Sequence, residues 1–197
     1  MHLLRHAPLN PASSKPAPVK PACPPVTQVA RLARLSRAAL LALVALGACV
    51  THSAHAVEVG QPAPNIALQG TPVAQQLADL RGRYVYVDFW ASWCGPCKLS
   101  FPWMGTLQAR YKPSELTVLT INLDKQQRDA DRFLQQNPAA FAVAFDPAGE
   151  SAKRFALKTM PSSFLIGPDG QLLWTHRGFT LDQRPDLDRQ IDRIVKK

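Results

Sequence analysis

The sequence predicts an α/β sandwich over residues 57–197, and three observations predict it. Apolar runs of strand length alternate with segments of helical periodicity along the chain. Two late strands flank the turn sequence Pro168-Asp169-Gly170, which is typical of a hairpin. The last segment then places one apolar stripe on a helix, formed by Leu187, Ile191, Ile194 and Val195.

The first half of this region is predicted to contain two buried strands separated by one long helix. Pro62 and Pro64 exclude a helix at its start. The predicted elements are an extended segment over 57–64, a short strand over 66–68, a helical turn over 75–80, a strand over 84–89, a helix from 94 to about 111 and a strand over 116–123. The strand over 84–89 is rich in aromatic and β-branched residues, which favours the centre of a sheet. Pro102 is predicted to kink the long helix.

The second half is predicted to continue the alternation and to end in the hairpin. A helix over 129–136 carries Phe133 and Leu134 on one face and ends before Asn137-Pro138. The remaining elements are a strand over 141–145, a helix over 150–157, a strand over 162–166, its antiparallel partner over 172–176 and the closing helix.

Residues 1–56 are predicted to be a disordered, proline-rich lead followed by an export signal. The segment carries six basic residues and no acidic residue, and three of its arginines precede the apolar stretch 38–50. Thirteen apolar residues are too few to span a hydrocarbon layer of about 30 Å comfortably. Ala54-His55-Ala56 supplies the small residues that a signal peptidase recognises, so cleavage is predicted near Ala56.

A second interpretation of the same segment is a lipoprotein signal. Leu46-Gly47-Ala48-Cys49 resembles a lipobox, in which Cys49 would be acylated and become the first residue. Cleavage near Ala56 is favoured because Gly is not the usual residue at its lipobox position. Both routes predict a periplasmic, exported domain that meets the membrane only through its signal or a lipid anchor.

The net charge of +9 does not indicate a nucleic-acid partner. Residues 1–56 contain six of the 23 basic residues. Residues 57–197 therefore contain 17 basic and 14 acidic residues, a net charge of +3. The excess belongs to the export signal, and no nucleic-acid interaction is expected.

The most informative motif is Trp93-Cys94-Gly95-Pro96-Cys97, at the end of an apolar strand. A strand that delivers Cys94 to a helix N-terminus favours its thiolate, because the amide donors and partial positive charge there stabilise an anion. Cys23 and Cys49 lie in the lead, so the exported domain retains this pair alone. A disulfide over so short a loop adds little stability, which indicates reactivity and not stapling.

The run Val87 to Cys97 resembles the active site of the thioredoxin superfamily, and further segments resemble its TlpA/ResA branch over roughly residues 57–195. Those segments are 59–64, 80–83, 160–170 and Arg177-Gly178. The resemblance implies a thioredoxin-like three-layer sandwich with a mixed sheet, flanking helices and a β/α insertion. It also implies disulfide exchange with protein substrates outside the cytoplasm, in some relatives with apocytochrome c or copper-site assembly factors.

The order of the two cysteines assigns their roles. Cys94 comes first, at the exposed junction, and is predicted to be the nucleophile that forms a mixed disulfide with substrate. Cys97, one turn inside the helix, is predicted to resolve that intermediate. Gly95 and Pro96 permit the turn, and Pro96 lacks an N–H where a helix start would leave one unpaired.

Asp88 matches the buried aspartate that thioredoxins keep beneath the second cysteine, which implies a proton relay during resolution. Desolvation should raise the pKa of this carboxyl group. The lysine that often partners this aspartate is absent, and Thr120 stands in its place.

Other parts of the site also follow from the resemblance. Pro161 matches the family's cis-proline, which faces the disulfide, and Met160 would touch the thiols and help to choose substrates. Trp93, Gly95 and Pro96 are expected to contact substrate, whereas Trp90 is expected in the core. Family members commonly carry Glu three residues after the second cysteine, and this chain has Ser100 there.

The predicted function is an exported thiol-disulfide oxidoreductase that reduces protein disulfides, because its Gly-Pro pair resembles that of cytoplasmic thioredoxin. A reductant in an oxidising compartment needs electrons, so a membrane thiol transporter of the DsbD/CcdA type is an expected partner. No cofactor or metal is expected beyond the redox-active Cys94–Cys97 disulfide. The alternatives are a disulfide oxidase or isomerase, and a copper-binding chaperone that would use His176.

The copper alternative is disfavoured because copper-binding relatives usually show a CxxxC pair. His176 is the only histidine after the lead, and one histidine cannot complete a closed zinc site. The peroxiredoxin motif is not found before Cys94. Covalent haem attachment requires a histidine directly after the second cysteine, and this chain has Lys98 there.

Overall fold

The computed structural model describes residues 57–197, and the predicted export signal and lipobox lie outside these described residues. Five strands form one sheet: β1 is Tyr84–Trp90, β2 is Leu116–Asn122, β3 is Ala142–Phe145, β4 is Ser162–Ile166 and β5 is Leu172–Arg177. The strand order is β3-β2-β1-β4-β5. β1 pairs in parallel with β2, as β2 does with β3, whereas β4 pairs antiparallel with both β1 and β5. The sheet is therefore mixed, as predicted.

Helices cover both faces of this sheet. Within residues 57–197 they are α1 at Gly95–Arg110, α2 at Gln127–Gln136, α3 at Glu150–Arg154 and α4 at Arg184–Val195, with single helical turns at Leu77–Leu80 and Leu181–Gln183. Met104 of α1, Phe133 of α2 and Ile191 of α4 share one buried cluster on the first face. Leu80 and Phe155, which directly follows α3, belong to a second cluster on the opposite face. The predicted three-layer sandwich is thus confirmed.

β1 is buried on both faces, and this explains its apolar composition. Tyr86 and Trp90 point into the cluster that contains α1, whereas Val87 and Phe89 point into the opposite cluster. Successive strand residues alternate between faces. Asp88 therefore lies on the face that α1 covers, among large apolar side chains.

The largest departures from the predicted elements lie at residues 66–68 and at the end of α3. Residues 66–68 form no strand of the sheet. Ala67 makes an isolated bridge with Gln76 in the segment that follows, and Gln69 makes another with Phe145 at the end of β3. α3 ends at Arg154, since Ala156 takes a left-handed φ of 48° that stops a helix. α1 has nearly its predicted bounds and contains the exposed Pro102, where a kink stays a prediction.

Among the described residues, no helix combines the length and the apolar character needed to cross a bilayer.

Candidate active site

The two cysteines lie where β1 gives way to α1. Cys94 is the N-cap residue of α1, and the backbone N–H of Cys97 donates to its Sγ at 3.3 Å. The pair forms a disulfide with a Cα–Cα distance of 5.3 Å. Cys94 is 5% exposed and Cys97 is 0% exposed, so Cys94 is the sulfur that an outside molecule can reach. A helix N-terminus and a donated N–H both stabilise a negative charge on Cys94 Sγ once the disulfide is reduced.

The turn that presents Cys94 is held by a buried carboxylate. Asp124, just beyond the end of β2, accepts hydrogen bonds from the Ser92 backbone N–H at 2.9 Å and from the Ser92 hydroxyl at 3.0 Å. The Asn122 side-chain amide donates to the same carboxylate at 2.8 Å. Asp124 thereby ties the segment before Cys94 to the neighbouring strand. Sequence reasoning did not assign it a role, although a charged residue directly after a buried strand was a usable signal.

An open groove of about 470 Å³ borders the disulfide, lined by residues 93–96 and 157–160. Trp93 stands 70% exposed at its edge, and Lys158 contributes the charged side chain of the lining. The Met160–Pro161 peptide bond is cis. The fold thus brings together two segments that sequence analysis placed at one site, Trp93-Cys94-Gly95-Pro96 and Met160-Pro161. Trp90, in contrast, is fully buried and packs edge-on against Phe101, as expected of a core residue.

Asp88 is a carboxyl group with 1% exposure and a single hydrogen-bond donor among the described residues. The Ser163 hydroxyl donates to its Oδ2 at 2.6 Å, and Oδ1 has no partner there. Burial raises the pKa of Asp88 to about 7, although the Ser163 hydrogen bond acts in the opposite direction. The group therefore changes protonation near neutral pH, where thiol exchange operates.

Thr120 does not replace the missing lysine beside Asp88. It lies on β2, in register with Asp88 of β1, but its hydroxyl donates to the Ala142 carbonyl oxygen at 3.3 Å. The polar partner comes from β4 instead, as Ser163 is the in-register neighbour of Asp88 on the other side. The sequence showed that the lysine was absent and did not show which residue would take its place.

Ser100 is buried at the position where relatives commonly carry glutamate. Its hydroxyl donates to the Cys97 carbonyl oxygen at 2.9 Å, within α1. The side chain therefore bonds its own helix and brings no negative charge to the thiols.

His176 is half-buried on β5 and stacks on Trp174, with ring centroids 5.5 Å apart. Burial lowers its pKa, and its Nε2 has no hydrogen-bond partner among the described residues. Within 57–197, no three His, Cys, Asp or Glu side chains cluster in a way that could hold a metal ion.

Known proteins named as thiol-disulfide oxidoreductases are similar to this chain. The Redoxin family pattern matches residues 58–191. Thiol-disulfide oxidoreductase ResA of Bacillus thuringiensis subsp. konkukian is 32% identical over 144 residues, which span 72% of this chain and 79% of that protein. The ResA of Bacillus subtilis is 28% identical over 119 residues, 60% of this chain and 66% of that one.

Solved structures are also similar to this chain. One is a crystal structure described as thiol:disulfide interchange protein DsbE of Chlorobium tepidum, which is 46% identical in sequence with a TM-score of 0.66. The match covers 69% of this chain and 96% of the DsbE chain. The thioredoxin domain of a thiol-disulfide oxidoreductase from Bacteroides vulgatus is 19% identical with a TM-score of 0.62, over 71% and 99% of the two chains, and shares the fold.

The sandwich and the disulfide at a strand–helix junction define a member of the thioredoxin superfamily. Within it, the chain belongs to the Redoxin family and is TlpA/ResA-like, as its sequence predicted. It is a thiol-disulfide oxidoreductase, whose Cys94–Cys97 pair exchanges with disulfides in protein substrates.

Proposed function

We propose that this oxidoreductase is an exported reductant of protein disulfides, of the kind used in cytochrome c maturation or copper-site assembly. The observation that carries the direction of electron flow is the Gly95-Pro96 pair between the cysteines. Cytoplasmic thioredoxin, which that pair resembles, has a potential of about −270 mV, whereas the strong oxidant DsbA lies at about −120 mV.

The reaction begins at Cys94. Its thiolate attacks one sulfur of a substrate disulfide, and a mixed disulfide forms while the other substrate sulfur leaves as a thiolate. Cys97 then loses its proton to the Asp88 carboxylate and attacks Cys94 Sγ. The Cys94–Cys97 disulfide closes, and the second substrate sulfur leaves. Two electrons have passed to the substrate.

The groove beside the disulfide supports a protein substrate. Trp93 offers an exposed aromatic surface, and Met160 adds a half-buried apolar wall on the other side. Gly95 and Pro96 are exposed at its floor and leave room for a close approach to Cys94. An extended peptide segment carrying a disulfide suits an open groove of this volume and mostly uncharged lining.

Residues 1–56 support export, through their basic residues, apolar stretch and small residues before Val57. In an oxidising compartment the Cys94–Cys97 disulfide must be reduced again after each turnover. A membrane thiol transporter of the DsbD/CcdA type is the electron donor that this role requires.

Equilibration of the pair with reduced and oxidised glutathione tests the direction of electron flow. We expect a potential well below that of disulfide isomerases, which lie near −180 mV. A potential above that value would assign the protein to the oxidases or isomerases instead.

Trapping identifies the substrate. A Cys97→Ser variant cannot resolve the mixed disulfide, so Cys94 should retain its physiological target when the variant is expressed in the exported form. The Cys94→Ser/Cys97→Ser variant is the matched control and should retain nothing. Recovery of cytochrome or copper-site assembly proteins supports the proposal, and recovery of unrelated secreted proteins alone contradicts this substrate class.

A further inference from the structure

Ser163 occupies a position that no motif assigned to the reaction. It lies on β4 directly opposite Asp88 of β1, and both residues are buried, with exposures of 3% and 1%. Leu165, two residues later on the same strand, packs into the cluster that contains Cys97 and α1. Ser163 therefore faces α1, and its hydroxyl donates to Asp88 Oδ2 at 2.6 Å.

No other described residue competes for this role. Thr120 on β2 donates elsewhere, to the Ala142 carbonyl oxygen at 3.3 Å. On β1, α1 and β5, the titratable groups on the same face as Asp88 are Tyr84 and Tyr86, the two cysteines, and His176, which is paired with Ser163. Tyr86 is fully buried, and both burial and the charge of Asp88 raise its pKa, so it stays neutral. None of these groups supplies a positive charge at neutral pH, since burial also lowers the pKa of His176. Lys98 and Arg110 of α1 are exposed.

A hydroxyl donor suits a carboxyl group that must gain and lose a proton. The hydrogen bond to Oδ2 stabilises the carboxylate in a dry environment, where an ionised group without partners is strongly disfavoured. Oδ1 has no partner among the described residues and stays free to receive a proton. The Ser163 bond can persist in both protonation states, so the transfer requires no rearrangement of the strand.

We propose that Ser163 is a positioning residue of the redox reaction: its hydroxyl keeps the buried Asp88 carboxylate available as the proton acceptor for Cys97. The inference rests on the proposed role of Asp88 in resolution. In that step the Cys97 S–H bond breaks and the proton passes to Asp88 Oδ1. The Cys97–Cys94 S–S bond then forms, the bond from Cys94 to the substrate breaks, and the electron pair leaves with the substrate thiolate.

The experiment follows reduced protein with a dithiobis-nitrobenzoate reagent, whose released thiolate is coloured. The first release reports attack by Cys94, and the second reports resolution by Cys97. The rate of the second release is measured in a stopped-flow instrument from pH 5 to pH 9, chosen to span the Asp88 titration at about 7.

The informative variants are Ser163→Thr and Ser163→Val, which have the same shape and differ in the hydroxyl. The rate of the second release should rise with pH as Asp88 loses its proton. In Ser163→Val we expect the midpoint of this rise to lie about one pH unit higher, because a hydrogen bond to a charged group has been lost. At pH 6 the second rate should fall by about tenfold, and at pH 9 it should approach the wild-type rate. Ser163→Thr should restore the wild-type profile.

Two controls isolate the effect. Ser162→Ala changes the neighbouring buried serine, whose hydroxyl donates to the Thr159 carbonyl oxygen at 2.9 Å, and should leave the profile in place. The rate of the first release should be the same in all of these variants. Ser163→Ala repeats the test with a smaller side chain if the valine variant does not fold.

An unshifted profile in Ser163→Val, or an equal loss of rate at every pH, would overturn the proposal. Asp88→Asn separates this failure from that of the proposed function. If Asp88→Asn keeps the wild-type pH dependence, the relay itself is wrong. If Asp88→Asn abolishes that dependence and Ser163→Val does not move it, Asp88 acts without Ser163.

Discussion

At the scale of single residues, Asp88 shows how burial sets chemistry. The side chain lies on a central strand with 1% exposure, and its one hydrogen bond within residues 57–197 comes from Ser163. An anion in this place loses water and gains little in return, so the folded protein holds the proton up to a pKa of about 7. The unfolded chain releases it near the ordinary value of 3.8. The folded state therefore becomes less stable as pH rises between these two values.

Asp88→Asn should remove this dependence. Below pH 4 both states of the wild-type carboxyl are protonated, so the variant should differ little from the wild type. The free energy of unfolding of the variant should then exceed that of the wild type by an amount that grows with pH. The difference should level off above pH 7, at about 4 kcal/mol for a pKa shift from 3.8 to about 7. Urea unfolding of the oxidised protein at a series of pH values measures this difference.

Asp182→Asn is the control for that series. Asp182 is exposed, and a hydrogen bond from Thr180 lowers its pKa. Removing this carboxylate should therefore slightly destabilise the protein at neutral pH, whereas Asp88→Asn should stabilise it. A difference between Asp88→Asn and wild type that stays constant with pH would show that Asp88 ionises normally.

At the scale of elements, α1 is anchored to α4 by a buried indole. The Trp103 Nε1–H donates to Asp188 Oδ1 at 2.8 Å, and the Arg110 guanidinium donates to the same oxygen at 2.8 Å. Leu187 and Ile191 of α4 complete the contact on the same face of the sheet. The second half of the helix that carries both cysteines is thus tied to α4 by polar contacts at the partly exposed edge of an apolar interface.

Asp188→Ala should destabilise the fold by about 1–3 kcal/mol, because the buried Trp103 N–H is left without an acceptor. Urea unfolding with Trp fluorescence measures the change. Asp186→Ala, on the same helix, removes an exposed pair with Arg189 and should leave the midpoint unchanged. Equal effects of the two substitutions would mean that the Trp103 hydrogen bond adds no stability.

At the scale of the whole domain, the sheet separates two cores that must form together. Phe155, just after α3, packs against Phe89 of β1 at 5.3 Å and Phe164 of β4 at 4.8 Å between ring centroids. The opposite face of the same two strands carries Asp88 and Ser163 beneath α1. Loss of packing on the α3 side should therefore weaken the side that holds the disulfide.

Phe155→Ala should lower stability by about 3–5 kcal/mol, since a fully buried ring leaves a cavity. Far-ultraviolet circular dichroism and Trp fluorescence should report one shared unfolding transition. Leu181→Ala, at an exposed position, should change little. Two separate transitions in Phe155→Ala would show that the two cores unfold independently.

Much of the fold and half of the site could be predicted because they depend on residues close together in the chain. Strand and helix positions followed from hydrophobic period, and the cysteine pair was visible as a motif. The end of α3 was not predicted, because the left-handed φ of Ala156 has no signature in the sequence. The contacts of Ser92 with Asp124 were also hidden, since they cross 32 residues of chain.

The sequence by itself determined the class of fold, the family and the two sulfurs that react, because alternation, turn residues and a four-residue motif are local properties. Only the tertiary structure decided the environment of Asp88. Its partner Ser163 is 75 residues away, and the register of β1 against β4 sets them face to face. Desolvation and hydrogen bonding depend on what the folded chain brings near a group, so the proton chemistry of this site was settled only by packing.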